Sequence, residues 1–337
     1  MDLPLLWAFI LAFAVLAYVV LDGFDLGIGI LFPFLKRHEN RDTAMNTIAP
    51  FWDGNETWLV LGGGGLFAVF PLAYAIVMPA LYAPVIAMLL ALIFRGVAFE
   101  FRWRTVRWRG VWDLSFFIGS LVAAFAQGVA LGTIVQGVEV SGRAYGGGWY
   151  DWLTPFSVVT GLAVVVGYAL LGATWIIMKT EGPLNRLAAR YAGALAIGTL
   201  AGIAIVSAWM PFLQPSFYSR WFGFPQILMV APIPILVALA AFSLFKALKD
   251  HVSNYRPFLS ALALFVLSFI GIGISFYPNI LPPELTIWQA AAPDASLLFL
   301  LVGASVLIPT ILAYTTYSYW IFRGKVIEGE GYHTHHH

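Results

Sequence analysis

The chain has 337 residues, of which 61% are hydrophobic and 10% charged, and its formal net charge is +1. A water-soluble protein of this length carries far more charge, so the composition excludes a water-soluble protein. The near-neutral charge argues against a nucleic-acid partner, and the absence of cysteine excludes disulfides and thiolate metal sites.

Apolar stretches of about twenty residues, the length that crosses a bilayer, repeat from one end of the chain to the other. They predict an all-α integral membrane protein of about nine transmembrane helices, which form a single domain over residues 1–325. A cytoplasmic tail is expected at 326–337. The predicted helices cover residues 5–34, 50–76, 79–103, 113–138, 155–179, 187–210, 222–247, 257–278 and 293–322.

Basic residues are concentrated in alternate loops between these helices. The opposite loops contain only Arg143 and Arg220. Because Lys and Arg collect on the cytoplasmic side, the pattern predicts a periplasmic N-terminus, a cytoplasmic C-terminus and an odd number of crossings. The cytoplasmic set is Lys36, Arg37, Arg41, Arg102, Arg104, Arg107, Arg109, Lys179, Arg186, Arg190, Lys246, Lys249, Arg256, Arg323 and Lys325.

Ionisable residues inside the predicted membrane helices are the first candidates for function, because burying a charge in hydrocarbon is costly. Asp22 and Asp25 in the first helix are three residues apart and therefore share one helix face. Asp53 and Glu56 repeat this spacing at the start of the second helix. We expect these four acids to form a proton pathway in the cytoplasmic half of the membrane.

The third predicted helix adds Arg95 and Glu100 to the same half of the membrane. Five acids cannot all ionise cheaply beside one arginine in a medium of low dielectric constant. We therefore expect at least one carboxyl to be protonated or to pair with another chain. Arg95 either supports the relay or forms a structural ion pair with Glu100 or an aspartate.

Structural explanations remain open for several of these residues. Asp53 and Glu56 follow Pro50 at a helix start, where carboxylates interact with unpaired N–H groups and with the helix dipole. The glycine run 62–65 has no preceding strand and no following lysine, so it predicts close helix packing rather than a phosphate loop.

Histidine is absent from every predicted helix, although haem iron and copper in membranes are usually held by His, Met or Cys. The histidines are His38 and His251 in loops and those of the terminal segment 332–337. We interpret that segment as including artificially added residues rather than as a metal site. No metal or cofactor is therefore expected to be bound by this chain alone.

Four segments in order resemble subunit II of the cytochrome bd-type quinol oxidases, especially the shorter, cyanide-insensitive branch. They are LDGFDLGIG at 21–29, IAPFWDGNETWL at 48–59, FRGVAFEFR at 94–102 and Trp112–Asp113. The resemblance extends over essentially the whole chain in length, helix count and orientation, and is sharpest through the first four helices.

The resemblance implies a respiratory terminal oxidase of the bacterial cytoplasmic membrane, in which quinol is oxidised at the outer side and oxygen is reduced to water. It places the haems, two of b type and one of d or b type, in a partner subunit I that forms a heterodimer with this chain. Small single-helix subunits also occur, and some members hold a structural quinone in subunit II.

For the site, the resemblance implies that Asp53, with Asp22 and Asp25, lines a water-filled route carrying cytoplasmic protons toward the oxygen-reducing haem. Trp52 would pack beside the entrance of this route. Two other functions stay open: a proton-coupled secondary transporter and a scaffold that only shields the haems of a partner. A transporter usually distributes its site over two related halves, whereas here the chain beyond the fourth helix has almost no intramembrane charge.

Overall fold

The computed structural model describes residues 1–105, 107–251 and 254–326. The predicted tail after Val326, with its histidines, lies outside these residues. In the described ranges the helices are α1 Leu3–Leu31, α2 His38–Asn46, α3 Trp52–Val69, α4 Pro71–Ala80, α5 Tyr82–Arg104, α6 Arg109–Gln136, α7 Pro155–Lys179, α8 Gly182–Trp209, α9 Pro215–Phe222, α10 Gln226–Val230, α11 Pro232–Lys249, α12 Arg256–Phe276, α13 Ile287–Ala290 and α14 Asp294–Ile321.

Two short antiparallel hairpins contain the β-strands of the described residues. Strands β1 Val140–Ser141 and β2 Ala144–Tyr145 pair between α6 and α7. Strands β3 Asn279–Leu281 and β4 Leu285–Thr286 pair between α12 and α13. Both hairpins lie in loops, so the predicted all-α membrane architecture is confirmed.

Eight helices of the described chain are long and apolar enough to cross a membrane, one fewer than the nine predicted. The difference arises in the predicted helix 50–76, which is divided into α3 and α4. Phe70 has φ −124° and ψ 62°, which is not helical. It precedes Pro71, and the proline ring disfavours the helical conformation in the preceding residue.

The other predicted bounds agree with the structure to within five residues, and the largest difference is at the helix predicted from 187, which begins at Gly182. The helix predicted over 222–247 begins later, because α9 ends at Phe222 and the next apolar helical segment is Gln226–Lys249. The loop between the first two predicted helices also contains α2, which composition alone did not indicate because it is polar.

Helix α1 lies inside the bundle and contacts α3, α6 and α7. A Cβ atom added at Gly27 would lie 1.9 Å from the Tyr168 carbonyl oxygen, and one at Gly172 would lie 2.5 Å from the Gly27 carbonyl carbon. The backbones of α1 and α7 are therefore in direct contact. This approach encloses the segment of α1 that carries Asp22 and Asp25, both 0% exposed.

The glycine run of α3 meets the expectation of close packing only in part. A Cβ atom at Gly65 would lie 2.4 Å from the Leu11 side chain, so this glycine packs tightly against α1. Gly63 and Gly64 have no atom within 4 Å of such a Cβ position. Their side of α3 faces away from the rest of this chain.

Helix α14 is the least enclosed of the eight apolar helices, with 6% of its most apolar window buried. Hydrogen bonds join it to the rest of the chain near both of its ends. Trp7 Nε1 donates to the Leu297 carbonyl at 3.0 Å. At the other end, Lys179 Nζ donates to the carbonyl oxygens of Phe322 and Gly324.

Candidate functional site

The centre of the candidate site is Arg95 on α5, whose side chain is 1% exposed. Its Nη1 lies 3.1 Å from Asp22 Oδ1 and donates to Glu56 Oε1 at 2.5 Å. The Asp22 side chain is 0% exposed and that of Glu56 27% exposed. One guanidinium thus joins a fully buried acid of α1 to a partly exposed acid of α3.

Asp25 belongs to the same buried region but has a different partner. Its Oδ2 accepts a hydrogen bond from Asn55 Nδ2 at 2.7 Å. Asn55 Oδ1 in turn accepts from the Tyr319 hydroxyl at 3.0 Å. Asp25 is therefore hydrogen-bonded to a neutral amide, and the amide is connected to α14.

A second polar chain begins beside Asp22. Tyr18 lies one helical turn before Asp22 on α1. Gln127 Nε2 on α6 donates to the Tyr18 hydroxyl at 2.8 Å, and the Tyr168 hydroxyl on α7 donates to Gln127 Oε1 at 2.7 Å. These contacts extend the site away from the ion pair and into the middle of the bundle.

Trp52, Asp53 and Glu100 lie at the margin of the site. The Trp52 ring stacks on Phe99 with 4.9 Å between centroids, and the Arg95 guanidinium lies 5.9 Å from the Trp52 ring. Asp53 and Glu100 are exposed on this chain. The structure therefore pairs Arg95 with Asp22 and Glu56, and Glu100 faces away from it.

Several buried atoms of the site lack a hydrogen-bond partner among the described residues. They include Asp22 Oδ2, Asp25 Oδ1, and the Nε and Nη2 atoms of Arg95. Buried polar atoms are nearly always hydrogen-bonded, to protein or to ordered water. The site therefore has buried donors and acceptors on Asp22, Asp25 and Arg95 that water molecules could satisfy.

A second charged cluster lies at the end of the bundle where α5 ends and α6 begins. Asp113 accepts from Arg41 Nη1 at 2.7 Å and from Arg102 Nε at 2.5 Å. Arg102 Nη1 also lies 2.7 Å from Asp42, which pairs with Arg109. The cluster ties α2 to α5 and α6, and its role in the structure is to join these elements.

Sequence reasoning did not find the hydrogen-bonding residues around the acids, nor the pairing of the loop arginines with Asp42 and Asp113. The missed members of these hydrogen-bond chains are Tyr18, Asn55, Gln127, Tyr168 and Tyr319, of which Asn55 bonds directly to an acid. The available signal was a polar amide inside an apolar helix, as at Gln127, because such a group needs a buried partner. Which partner it finds depends on helix packing.

The described residues contain no group of three or more His, Asp or Glu side chains arranged to hold a metal ion. His38 lies in the short helix α2 and His251 follows α11, so neither lies in one of the eight apolar helices. Among the described residues, the eight apolar helices therefore contain no histidine.

The fold and the site together define a multi-pass membrane protein with a buried, incompletely neutralised acid cluster, a feature typical of proteins that move protons or ions. The family model for cytochrome bd terminal oxidase subunit II matches residues 3–322. The chain therefore belongs to this family, and membership implies a complex with a haem-bearing subunit I.

Individual relatives agree with this assignment. The chain is 31% identical to the cytochrome bd-I ubiquinol oxidase subunit 2 of Escherichia coli (strain K12), covering 96% of this chain and 95% of that protein. It is also 31% identical to the cytochrome bd ubiquinol oxidase subunit 2 of Bacillus subtilis (strain 168), covering 96% and 97%. These relatives support the predicted oxidase subunit rather than the transporter.

The fold is similar to that of a chain in the structure of bd oxidase from Geobacillus thermodenitrificans. The TM-score is 0.79 at 18% sequence identity, and the match covers 95% of this chain and 99% of that chain. The helical architecture is therefore shared.

Proposed function

We propose that the chain is the haem-free subunit II of a bacterial quinol oxidase, and that it supplies a proton route to the oxygen-reducing haem of subunit I. The buried cluster of Asp22, Glu56 and Arg95 carries this proposal. An acid pair bridged by a buried arginine is costly in a membrane and is a common feature of proton pathways. Electrons pass from quinol to oxygen within the partner, and water is formed.

The route starts at Asp53, which is exposed in the first turn of α3. Glu56 lies one turn further along the same helix and is joined through Arg95 to Asp22. Asp25 lies one turn from Asp22 on α1 and is fully buried. Water molecules between these carboxyls would carry protons from the surface to the buried aspartates, from where they continue to the partner.

The membrane is the bacterial cytoplasmic membrane, and the end of the bundle that carries the Arg41, Arg102 and Arg109 cluster faces the cytoplasm. Basic residues favour that side. The N-terminus is then periplasmic and the C-terminus cytoplasmic. Protons for water formation come from the cytoplasm, whereas quinol protons are released outside, so the reaction builds a membrane potential without pumping by this chain.

Subunit I contacts the face of α3 that contains Gly63 and Gly64. These glycines have open space around them in this chain. Small residues allow close approach between membrane helices. Asp53 is on the same helix and exposed, so a partner on this face lies next to the start of the route. Small single-helix subunits and a structural quinone stay predictions from the resemblance.

The proposal is tested by replacing Asp53 with Asn in the intact oxidase and measuring quinol-dependent oxygen consumption together with haem content. We expect slower turnover with unchanged haem, because an amide cannot take up the proton. Asp294→Asn is the matched control, since Asp294 is also an exposed acid in the first turn of a membrane helix.

Turnover equal to that of the control would refute the proton route. Loss of haem along with turnover would instead support the scaffold function, in which the acids serve assembly.

A further inference from the structure

The two buried aspartates of α1 differ in the charge of their partners. Asp22 is ion-paired with Arg95 at 3.1 Å. Asp25 accepts its hydrogen bond from the neutral Asn55 amide at 2.7 Å. Among the described residues Asp25 has no arginine in hydrogen-bond contact, so the orientation of that amide decides whether Asp25 Oδ2 meets a donor.

The amide of Asn55 is held in one orientation by three contacts. Nδ2 donates both to Asp25 Oδ2 at 2.7 Å and to the Leu21 carbonyl at 3.3 Å. Oδ1 accepts from the Tyr319 hydroxyl at 3.0 Å. An amide can turn over and exchange its oxygen and nitrogen, but here the exchange would place Oδ1 against two acceptors.

The position of the Tyr319 hydroxyl is set by packing of its ring. The ring stacks on Phe51 with 4.3 Å between centroids and lies edge-on to Trp175 at 6.2 Å. The last turn of α14 is also held by Lys179, which donates to the carbonyl of Phe322. A helix with little burial elsewhere is thus fixed at the turn that reaches Asn55.

We propose that Tyr319 and Asn55 are positioning residues for Asp25. The Tyr319 hydroxyl keeps the Asn55 N–H directed at Asp25, so the carboxylate is stabilised and ready to accept a proton. Asp25 Oδ1 has no hydrogen-bond partner among the described residues and is the oxygen that takes it. An O–H bond forms there as the donor O–H bond breaks, and the reverse occurs on release. This proposal rests on the proposed proton route.

Other ionisable groups also act on Asp25 and have to be kept constant in a test. They are Asp22 on the same helix, Glu56 from α3 and Arg95 from α5, together with Tyr319 itself from α14. Replacing Tyr319 with Phe leaves the three charged groups unchanged and preserves the ring that packs on Phe51. Only the hydroxyl is lost.

The test uses the purified oxidase complex and infrared difference spectra between its reduced and oxidised states. Asp25→Asn identifies the carboxyl band of Asp25 by removing it. In Tyr319→Phe we expect this band to shift, because the loss of the hydrogen bond to Asn55 Oδ1 loosens the amide that donates to Asp25. The pH profile of turnover should move by about one unit toward alkaline pH, as expected for loss of a hydrogen bond to a charged group.

Tyr314→Phe is the matched control, since Tyr314 is on the same helix and 68% exposed. Asn55→Leu is a second variant and should shift the pH profile in the same direction by removing the N–H donor. An unchanged haem spectrum shows that each variant is folded.

A band and pH profile in Tyr319→Phe equal to those of Tyr314→Phe would overturn the proposal, as would a spectrum in which Asp25→Asn removes no band. Slow turnover in Asp53→Asn, together with an Asp25 band that does not shift in Tyr319→Phe, would refute only the positioning role of Tyr319 and Asn55. Normal turnover in Asp53→Asn, together with an Asp25 band that shifts in Tyr319→Phe, would refute the route while the link from Tyr319 through Asn55 to Asp25 stands.

Discussion

Replacing Arg95 with Gln should destabilise the protein more than any other single change in the acid cluster. The guanidinium contacts Asp22, which is 0% exposed, and Glu56, which is 27% exposed. Removing one partner of a buried ion pair leaves an uncompensated charge and costs about 3–5 kcal/mol. Most of that loss comes from Asp22, because water screens it least.

The contribution of Glu56 is expected to be smaller because part of its side chain is exposed. Pairs that reach solvent contribute about 0–1 kcal/mol, so Glu56→Gln should lower the free energy of unfolding by about 1 kcal/mol. Adding Asp22→Asn to Arg95→Gln removes the orphaned charge. The double variant should recover about 1–3 kcal/mol relative to Arg95→Gln, as residues in one network are coupled by such amounts.

The assay is equilibrium unfolding of the purified complex in mild detergent, followed by circular dichroism and haem absorbance. Arg143→Gln serves as the control, because Arg143 is exposed in the hairpin loop. If Arg95→Gln is as stable as this control, or if the double variant is no more stable than Arg95→Gln alone, then the guanidinium does not stabilise the carboxyls.

Three further predictions concern other parts of the chain. Gly27→Ala should prevent normal assembly of α1 on α7, because its Cβ would lie 1.9 Å from a carbonyl oxygen, whereas Gly193→Ala, with no atom within 4 Å, should leave the yield of folded protein unchanged. Asp113→Asn should weaken the cluster of arginines at that end of the bundle and increase proteolysis near α2, and resistance equal to the parent protein would contradict this. Burial raises the pKa of Tyr145 to about 12, with its hydrogen bond to Asp151 acting in the same direction. The stabilising effect of the protonated phenol should thus persist below about pH 10 and be lost as pH rises toward 12. Tyr145→Phe should remove this component from a spectrophotometric titration of the phenols, and a titration identical to that of the parent would count against it.

The acids of the site could be predicted from the sequence, but their partners could not. Asp22 and Asp25 stand out because carboxyls in an apolar helix are rare and costly. Glu100 looked equally suitable as a partner of Arg95. Residues five apart on a helix point about 140° away from each other, and the structure places Glu100 on the exposed side of α5.

The sequence by itself determined the membrane class, most helix bounds and the clustering of acids near one end of the first helices. These features follow from local hydrophobicity and from the cost of charge in lipid, which act along the chain. Tertiary structure decided that Tyr319 reaches Asn55, which is 264 positions away along the chain. It also decided that α1 and α7 touch at Gly27. Such contacts depend on how helices pack against each other, and residue spacing within one helix carries no information about that packing.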